Sequence, residues 1–259
     1  MFNITPTVRN ILIINIVISV VQGLLKIDLI NFGGLRYILA ESFMPYQFFS
    51  YMFIHAGFSH IFGNMLALFI FGPWLERTWG PARFITFYLA CGIGAGILWS
   101  GVNYFETRAV QKDSNYYNVN PDPERFNKFI IDHYQKTPQL DDMIERYAEN
   151  PDNPQYREES KQVVREIYYM IANIPMVGAS GAVFGILMAF GLLFPNTTLM
   201  LLFPPIPIKA KYFVMLYGLY ELYSTIIQAP GDNIAHFAHL GGMAIAFVLV
   251  KHWQKQGYS

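Results

Sequence analysis

Residues 177–194 read VGASGAVFGILMAFGLLF, and every residue in this stretch except Ser180 is apolar or glycine. This length and composition predict a membrane-spanning segment, which must be helical because backbone polar groups in lipid need partners within their own segment. A polar side chain is costly in such a segment and is therefore a candidate for function. The small neighbours of Ser180 would leave its hydroxyl accessible as a nucleophile. Alternatively, Gly181 and Gly185 form a G-x-x-x-G pair that suits helix packing.

Two other stretches also place polar side chains near the start of an apolar segment. His60 and Asn64 lie in HAGFSHIFGNMLALFIFG (55–72), and His239 lies in AHFAHLGGMAIAFVLV (235–250). A hydroxyl, an imidazole and two hydrogen-bond donors predict a nucleophilic hydrolase inside a lipid bilayer.

The composition separates the chain into two populations of residues. The chain is 53% hydrophobic and 17% aromatic, above the usual range of soluble proteins. Yet residues 106–166 hold 22 of its 36 charges, which predicts a membrane protein with one hydrophilic insertion at residues 106–172. A net charge of zero without a basic block argues against nucleic-acid binding. The single cysteine, Cys91, excludes an intrachain disulfide and a cysteine-based metal site.

Six stretches could cross the membrane, which predicts an all-α polytopic membrane protein. Their approximate bounds are Val8–Leu25, Phe58–Leu75, Arg83–Tyr104, Ile174–Phe194, Lys211–Ile227 and Ala235–Trp253. The fifth is the least certain, because it is short and carries Glu221. That glutamate is expected near the outer end of its segment, with a paired or substrate-facing position as the alternative. Residues 30–55 and 195–211 are interrupted by prolines and are expected to be interfacial or connecting.

Lysines and arginines of the short loops predict the orientation, because they are enriched on the cytoplasmic side. With both termini in the cytoplasm, seven of them lie inside and two outside. The second, fourth and sixth segments then run inward, and their polar residues lie at similar depth below the outer surface, on the order of 5–10 Å. A retained first segment without organelle targeting favours a bacterial inner membrane.

The insertion is expected to form short helices on the outer face. Asp122, Thr137 and Asn153 are each a capping residue followed by proline, which marks a helix start. Apolar residues follow each pair at helical spacing. The resulting amphipathic cap could be purely structural, or it could bind a partner or substrate.

The environment of His239 on the sixth segment favours a catalytic role over a structural one. Ala235, His239, Gly242 and Ala246 form a small-residue stripe that can pack against Gly181 and Gly185, bringing the imidazole to Ser180. His236 is expected to be a surface residue. His60 and Asn64, at i and i+4, could stabilise an oxyanion or could simply bond neighbouring helices.

Three motifs resemble the rhomboid family of intramembrane serine proteases. They are His60-xxx-Asn64, Gly178-Ala179-Ser180-Gly181 and Ala238-His239-Leu240-Gly241-Gly242, in this order on the second, fourth and sixth segments. The resemblance implies a six-helix rhomboid-like bundle over residues 1–259, apart from roughly 106–172. It also implies a Ser–His dyad without a third carboxylate.

The resemblance further implies individual roles. Ser180 is the nucleophile, His239 the base and then the acid, and His60, Asn64 and the Ser180 N–H hold the oxyanion. Phe184 would pack on the histidine, and Gly178 would shape the loop before Ser180. In addition, Gln228–Asn233 resembles a cap over the site, and Glu76-Arg77 a structural feature at the inner end of the second segment. Ala246 departs from the glycine of many relatives, and the long insertion departs from compact bacterial ones.

The expected substrates are transmembrane proteins in the lipid bilayer, with no nucleic acid, metal or other cofactor. The oligomeric state is not indicated by the sequence. Two other classes fit less well. A non-catalytic relative that binds membrane proteins would be expected to lack the serine or the histidine, and both are present. A transporter would be expected to show internal repeats or discontinuous helices, and none is seen.

Overall fold

In the computed structural model, residues 4–201, 204–227 and 235–257 are described, and most of them are helical. The helices are α1 (Pro6–Leu25), α2 (Leu29–Gly33), α3 (Gln47–Ser50), α4 (Phe58–Trp79), α5 (Pro81–Val119), α6 (Pro123–His133), α7 (Pro138–Glu149), α8 (Pro154–Asn173), α9 (Ser180–Leu193), α10 (Ala210–Ile227) and α11 (His236–Lys255), with a 3₁₀ turn at Tyr51–Phe53. The expected cap at Gln228–Asn233 lies outside the described residues.

Within the described part of the chain, α1, α4 and α5 are long and apolar enough to cross a membrane, and α9 is apolar but shorter. The protein is therefore an integral membrane protein, while the count of six spans stays a prediction. The shortness of α9 has a local cause. Pro175 and Gly178, whose φ is +121°, disfavour helix, so the predicted fourth segment becomes helical only at Ser180.

The chain forms two compact units, and the first comprises Met1–Leu35, Met44–Ser100 and Pro175–Ser259. Helix α9 is the centre of this unit. Ten of its 14 residues are buried, and α4, α10 and α11 all contact it. Ser180 therefore begins a helix that is surrounded by protein rather than by lipid.

Glu76 joins the end of α4 to the start of α1. Its carboxylate accepts hydrogen bonds from the Thr5 hydroxyl at 2.5 Å and from the backbone N–H groups of Thr7 at 3.0 Å and Val8 at 2.9 Å. The first N–H groups of a helix have no partner inside it, so Glu76 supplies the cap that Thr5 does not make with its own side chain. A structural role for Glu76 agrees with the expectation.

A two-stranded antiparallel hairpin, β1 (Thr198–Met200) and β2 (Pro207–Lys209), lies in the proline-rich connection between α9 and α10. Thr198 pairs with Lys209, and Met200 pairs with Pro207. The sequence predicted a helix break here but not strands. Proline excludes helix without excluding an edge strand.

The second unit, Arg36–Phe43 and Gly101–Ile174, contains α6, α7 and α8. These helices begin directly after Asp122, Thr137 and Asn153, whose side chains accept from backbone N–H groups of the first turn, so the predicted helix starts are confirmed. Their apolar faces build one core together with the end of α5, and this core consists of Val110, Tyr117, Phe126, Phe129, Ile130, Tyr147, Val164 and Ile167. The predicted third segment ended near Tyr104, whereas α5 continues to Val119 because no proline or glycine interrupts residues 102–119.

Candidate active site

An extended segment positions Ser180 at the first turn of α9. Met176 pairs with Leu35 through two backbone hydrogen bonds of 2.8 Å, and the Gly178 N–H donates to the Tyr51 carbonyl at 2.9 Å. These bonds hold residues 176–178 extended until the helix begins at a half-buried Ser180. The Ser180 hydroxyl therefore lies beside the free N–H groups and positive dipole end of α9.

Helix α11 brings His239 to this hydroxyl. The His239 Nε2 lies 2.9 Å from the Ser180 Oγ, a hydrogen-bond distance between residues 59 positions apart. The contact depends on close helix packing, because a Cβ on Gly242 would collide with the Gly181 carbonyl. A Cβ on Gly185 would lie 2.7 Å from the Cys91 Sγ. A Cβ on Gly181 would lie 2.5 Å from the Ala95 Cβ, so all three predicted packing glycines lie where a larger residue would push neighbouring helices apart.

Phe184 fixes the plane of the His239 ring. The two rings stack with centroids 4.1 Å apart and planes 9° apart, and Tyr217 packs on Phe184 at 5.0 Å. Phe184 lies one turn after Ser180 on the same helix. A single turn of α9 therefore holds both a hydrogen-bonding and a stacking partner of the imidazole.

Glu221 of α10 contacts the other side of the imidazole. Its Oε2 lies 2.8 Å from the His239 Nδ1 and 2.6 Å from the His236 Nδ1, and all three residues are buried. The expectation that His236 is a surface residue was wrong, because this ring is 6% exposed and turned towards the carboxylate. These contacts confirm the paired alternative for Glu221, while its expected position near the outer end of the segment stays a prediction.

The same three side chains are the one group of potential metal ligands found among the described residues. Their ligand atoms lie within 4.8 Å of one another, and two imidazoles with a carboxylate suit zinc by donor type. Residue spacing along one helix does not reveal this group, because Glu221 lies on α10 and both histidines lie on α11.

His60 lies against the extended segment before Ser180. Its Nδ1 accepts a long hydrogen bond of 3.4 Å from the Ala56 N–H, which leaves the proton of a neutral ring on Nε2. That edge of the ring lies where a side chain on Gly178 would be, since a Cβ there would be 2.6 Å from the His60 Nε2. A donor is thereby held at the segment that leads to Ser180.

Asn64 lies one turn further along α4 and is 6% exposed. Its Nδ2 donates to the His60 carbonyl at 2.9 Å. An amide nitrogen carries two hydrogens, so this bond leaves a second donor. Among the described contacts, neither His60 nor Asn64 bonds Ser180 or His239 directly.

His55 is a site residue that the sequence argument missed. Its Nε2 accepts a 3.5 Å hydrogen bond from the Ala179 N–H, and its ring meets His60 edge-on at 5.0 Å. It thus supports both Ala179, the residue before Ser180, and the imidazole of His60. The sequence signal was a second histidine five positions before His60, but only the loop fold turns it inward.

His55 also lines an apolar cleft of about 820 Å³ between α1 and the start of α4. Ile16 and Val20 form part of the α1 wall, and Phe58 and Phe62 part of the α4 wall. The His55 side chain therefore belongs both to the cleft wall and to the contact with the segment before Ser180.

Comparison with known proteins gives the family. The model of the Rhomboid domain matches residues 42–107 and 160–253, more than half of the chain. The chain belongs to the rhomboid family. The rhomboid match leaves residues 108–159 uncovered, and these lie within the predicted insertion.

Two relatives carry the rhomboid description in their names. The chain is 48% identical over 40 residues to "Putative rhomboid protease YdcA" of Bacillus subtilis (strain 168), covering 15% of this chain and 20% of that protein. It is 27% identical over 199 residues to "RHOMBOID-like protein 12, mitochondrial" of Arabidopsis thaliana, covering 76% of this chain and 43% of that one. The chain thus spans less than half the length of either relative.

Proposed function

We propose that this rhomboid protein is an intramembrane serine endopeptidase that cleaves transmembrane protein substrates near the outer membrane surface. The observation that carries the proposal is the 2.9 Å contact between the Ser180 Oγ and the His239 Nε2. A nucleophile and a base within hydrogen-bond reach, with the base oriented by other groups, are the signature of nucleophilic catalysis.

In the proposed reaction, the Ser180 Oγ attacks the carbonyl carbon of the scissile peptide bond while its proton passes to the His239 Nε2. The tetrahedral intermediate then collapses, and His239 gives that proton to the leaving amine. Water attacks the resulting acyl-enzyme ester and gives one proton to His239, which returns it to the Ser180 oxygen as the acid product leaves. His239 serves alternately as base and acid.

The developing oxyanion would be stabilised by the His60 Nε2–H, the second hydrogen of the Asn64 amide and the Ser180 N–H. Gly178 would leave room for it beside the His60 ring. Donors held in place before the reaction stabilise charge without the cost of reorganisation. The packing of α4 against α9 supports this role, because it keeps the donors on the helix next to the nucleophile.

We further propose six spans, formed by α1, α4, α5, α9, α10 and α11, with both termini in the cytoplasm of a bacterial cell. The insertion at residues 106–172 and the start of α9 then face outward. Substrates would have to unwind near their outer ends to offer an extended peptide bond, so small, helix-destabilising residues are expected there.

The test is cleavage of a single-span reporter by purified protein in liposomes, together with labelling by a fluorophosphonate. Ser180→Ala and His239→Ala are expected to abolish both signals. Matched controls, Ser59→Ala and His252→Ala, alter exposed residues of the same types and should retain both. A folded wild type that neither labels nor cleaves would contradict the proposal and favour a non-catalytic role in binding membrane proteins.

A further inference from the structure

The carboxylate of Glu221 is the third partner in a chain of polar contacts that begins at the proposed nucleophile. From Ser180 the chain runs through the His239 Nε2 at 2.9 Å, and from the His239 Nδ1 to the Glu221 Oε2 at 2.8 Å. The two contacts use opposite nitrogens of one ring. Glu221 therefore occupies the place that a carboxylate takes behind the histidine of a Ser-His-acid triad.

We propose, on the basis of the proposed protease function, that Glu221 is a positioning residue that completes a Ser180–His239–Glu221 triad. An ionised carboxylate only accepts hydrogen bonds, so the His239 Nδ1 carries the proton and donates to Glu221. The Nε2 of the neutral ring is then free to accept the Ser180 proton. The carboxylate also stabilises the imidazolium that this transfer creates.

His236 holds the carboxylate in place. Its Nδ1 donates to the same Oε2 at 2.6 Å from one turn earlier on α11. Glu221 is 2% exposed, His239 8% and His236 6%, so water competes little for these bonds. A buried carboxylate is unfavourable unless paired, and here both partners come from the helix that carries the base. Glu221 thus couples the position of α10 to the orientation of His239.

The same contacts argue against a metal ion in this cluster. The two N···O distances, 2.6 and 2.8 Å, are ordinary charge-assisted hydrogen bonds, and they already satisfy the facing atoms of all three side chains. A metal would have to replace both ring protons. It would also withdraw the carboxylate from the base.

The first measurement tests for the hydrogen bond between His239 and Glu221, and it can be made even on an inactive protein. Histidine ¹⁵N NMR of the full-length protein in detergent, with His239→Ala to assign the signal, reports which ring nitrogen is protonated. We expect the Nδ1–H tautomer with a low-field proton, and its loss in Glu221→Gln. An Nε2–H tautomer in the wild type would overturn the proposal even if the protein proves inactive.

The second measurement compares cleavage kinetics and fluorophosphonate labelling. Glu221→Gln should lower kcat at least about 100-fold with little change in KM, and Glu221→Asp should restore part of the loss. Glu76→Gln changes the other buried glutamate of this unit. Glu76→Gln is expected to lower the melting temperature without changing kcat. The comparison therefore distinguishes the loss of His239 positioning from the general effect of losing a buried carboxylate.

The pH dependence of kcat gives a readout that a purely structural role would not change. Among the described residues, the titratable groups around His239 are Glu221 and Tyr217 of α10, His236 of its own helix, and His60 of α4, which is close enough to interact electrostatically. Removing the carboxylate should shift the acid limb of the profile to lower pH, because the imidazolium loses the negative charge that stabilises it and the neutral base forms more readily. Unchanged kcat and pH profile in Glu221→Gln, or activity abolished by a metal chelator, would overturn the triad.

The two proposals fail in different ways. A wild type that fluorophosphonate does not label would contradict the proposed protease function. The tautomer measurement would still show whether His239 donates a hydrogen bond to Glu221. If the wild type is labelled and cleaves its substrate, and the Glu221→Gln variant is equally active, only the role of Glu221 in the triad is contradicted.

Discussion

At the residue scale, Gly178 is the position where the smallest change should have a clear effect on the site. Its φ of +121° is rarely adopted by other residues, and an added Cβ would lie 2.6 Å from the His60 ring. Strain of this kind amounts to about 1–3 kcal/mol, so we expect Gly178→Ala to lower kcat by about 5- to 150-fold. Fluorophosphonate labelling rates and reporter cleavage measure the effect.

Gly63→Ala is the matched control for this prediction. Gly63 lies on α4 beside Asn64, has nothing within 4 Å of an added Cβ, and has ordinary helical backbone. Its substitution should leave the rate unchanged. Equal activity of both variants would mean that the His60 ring has no fixed place against Gly178.

The contact between Ser180 and His239 could be predicted from the sequence. Both residues lie near the start of helices that run in the same direction, so counting residues from each helix start gives them a similar depth in the membrane. The sequence was not enough to place Glu221 and His236. Their contact depends on how α10 is rotated about its axis against α11. The residue pattern within a single helix does not reveal that rotation. His55 was missed for a related reason, since its contact with the Ala179 N–H is made by a loop.

At the element scale, the packing of α9 against α11 depends on Gly242. Its substitution by alanine would force the helix away from the Gly181 backbone, because neither carbonyl nor helix can yield locally. Overpacking of this kind destabilises by about 1–3 kcal/mol. We therefore expect Gly242→Ala to lower the melting temperature in detergent and to abolish labelling, as His239 moves away from Ser180.

Gly23→Ala, on α1 with open space around it, should change neither property. A Gly242→Ala variant as stable and as active as Gly23→Ala would show that α9 and α11 are not in close backbone contact.

The attachment of α1 to α4 is the second prediction at this scale. Glu76→Ala would remove three hydrogen bonds to residues 5–8 and leave the buried N–H of Val8 without its acceptor. An unsatisfied buried donor costs about 1–3 kcal/mol. We expect a lower melting temperature and faster hydrogen exchange in the first turn of α1.

Thr5→Val is the graded control, because it removes one of the three bonds and should give a smaller effect. Equal stability of Glu76→Ala and wild type would contradict the capping role.

The helix starts of the second unit show the same principle in a form that the sequence reveals. Asp122, Thr137 and Asn153 cap their own helices and could be predicted, whereas Glu76 caps a helix 68 residues away and could not.

At the scale of the whole molecule, the orientation in the membrane can be tested with single cysteines. Cys91 is buried, so Cys91→Ala gives a background without accessible thiols. Asn120→Cys and Gln256→Cys would then place one thiol in the predicted outer insertion and one at the C-terminal end of α11, both at exposed positions. Because lysines and arginines are enriched on the cytoplasmic side, we expect an impermeant maleimide to label position 120 in intact cells.

Position 256 should be labelled only after the membrane is permeabilised. The reverse pattern would place the starts of α4, α9 and α11, and with them Ser180 and His239, at the cytoplasmic surface. The protein would then cleave substrates from inside the cell. The three proposed spans between positions 120 and 256 put these positions on opposite sides of the membrane. Labelling of both in intact cells would mean that an even number of spans separates them. That result would exclude the six-span arrangement but not the Ser180–His239 contact.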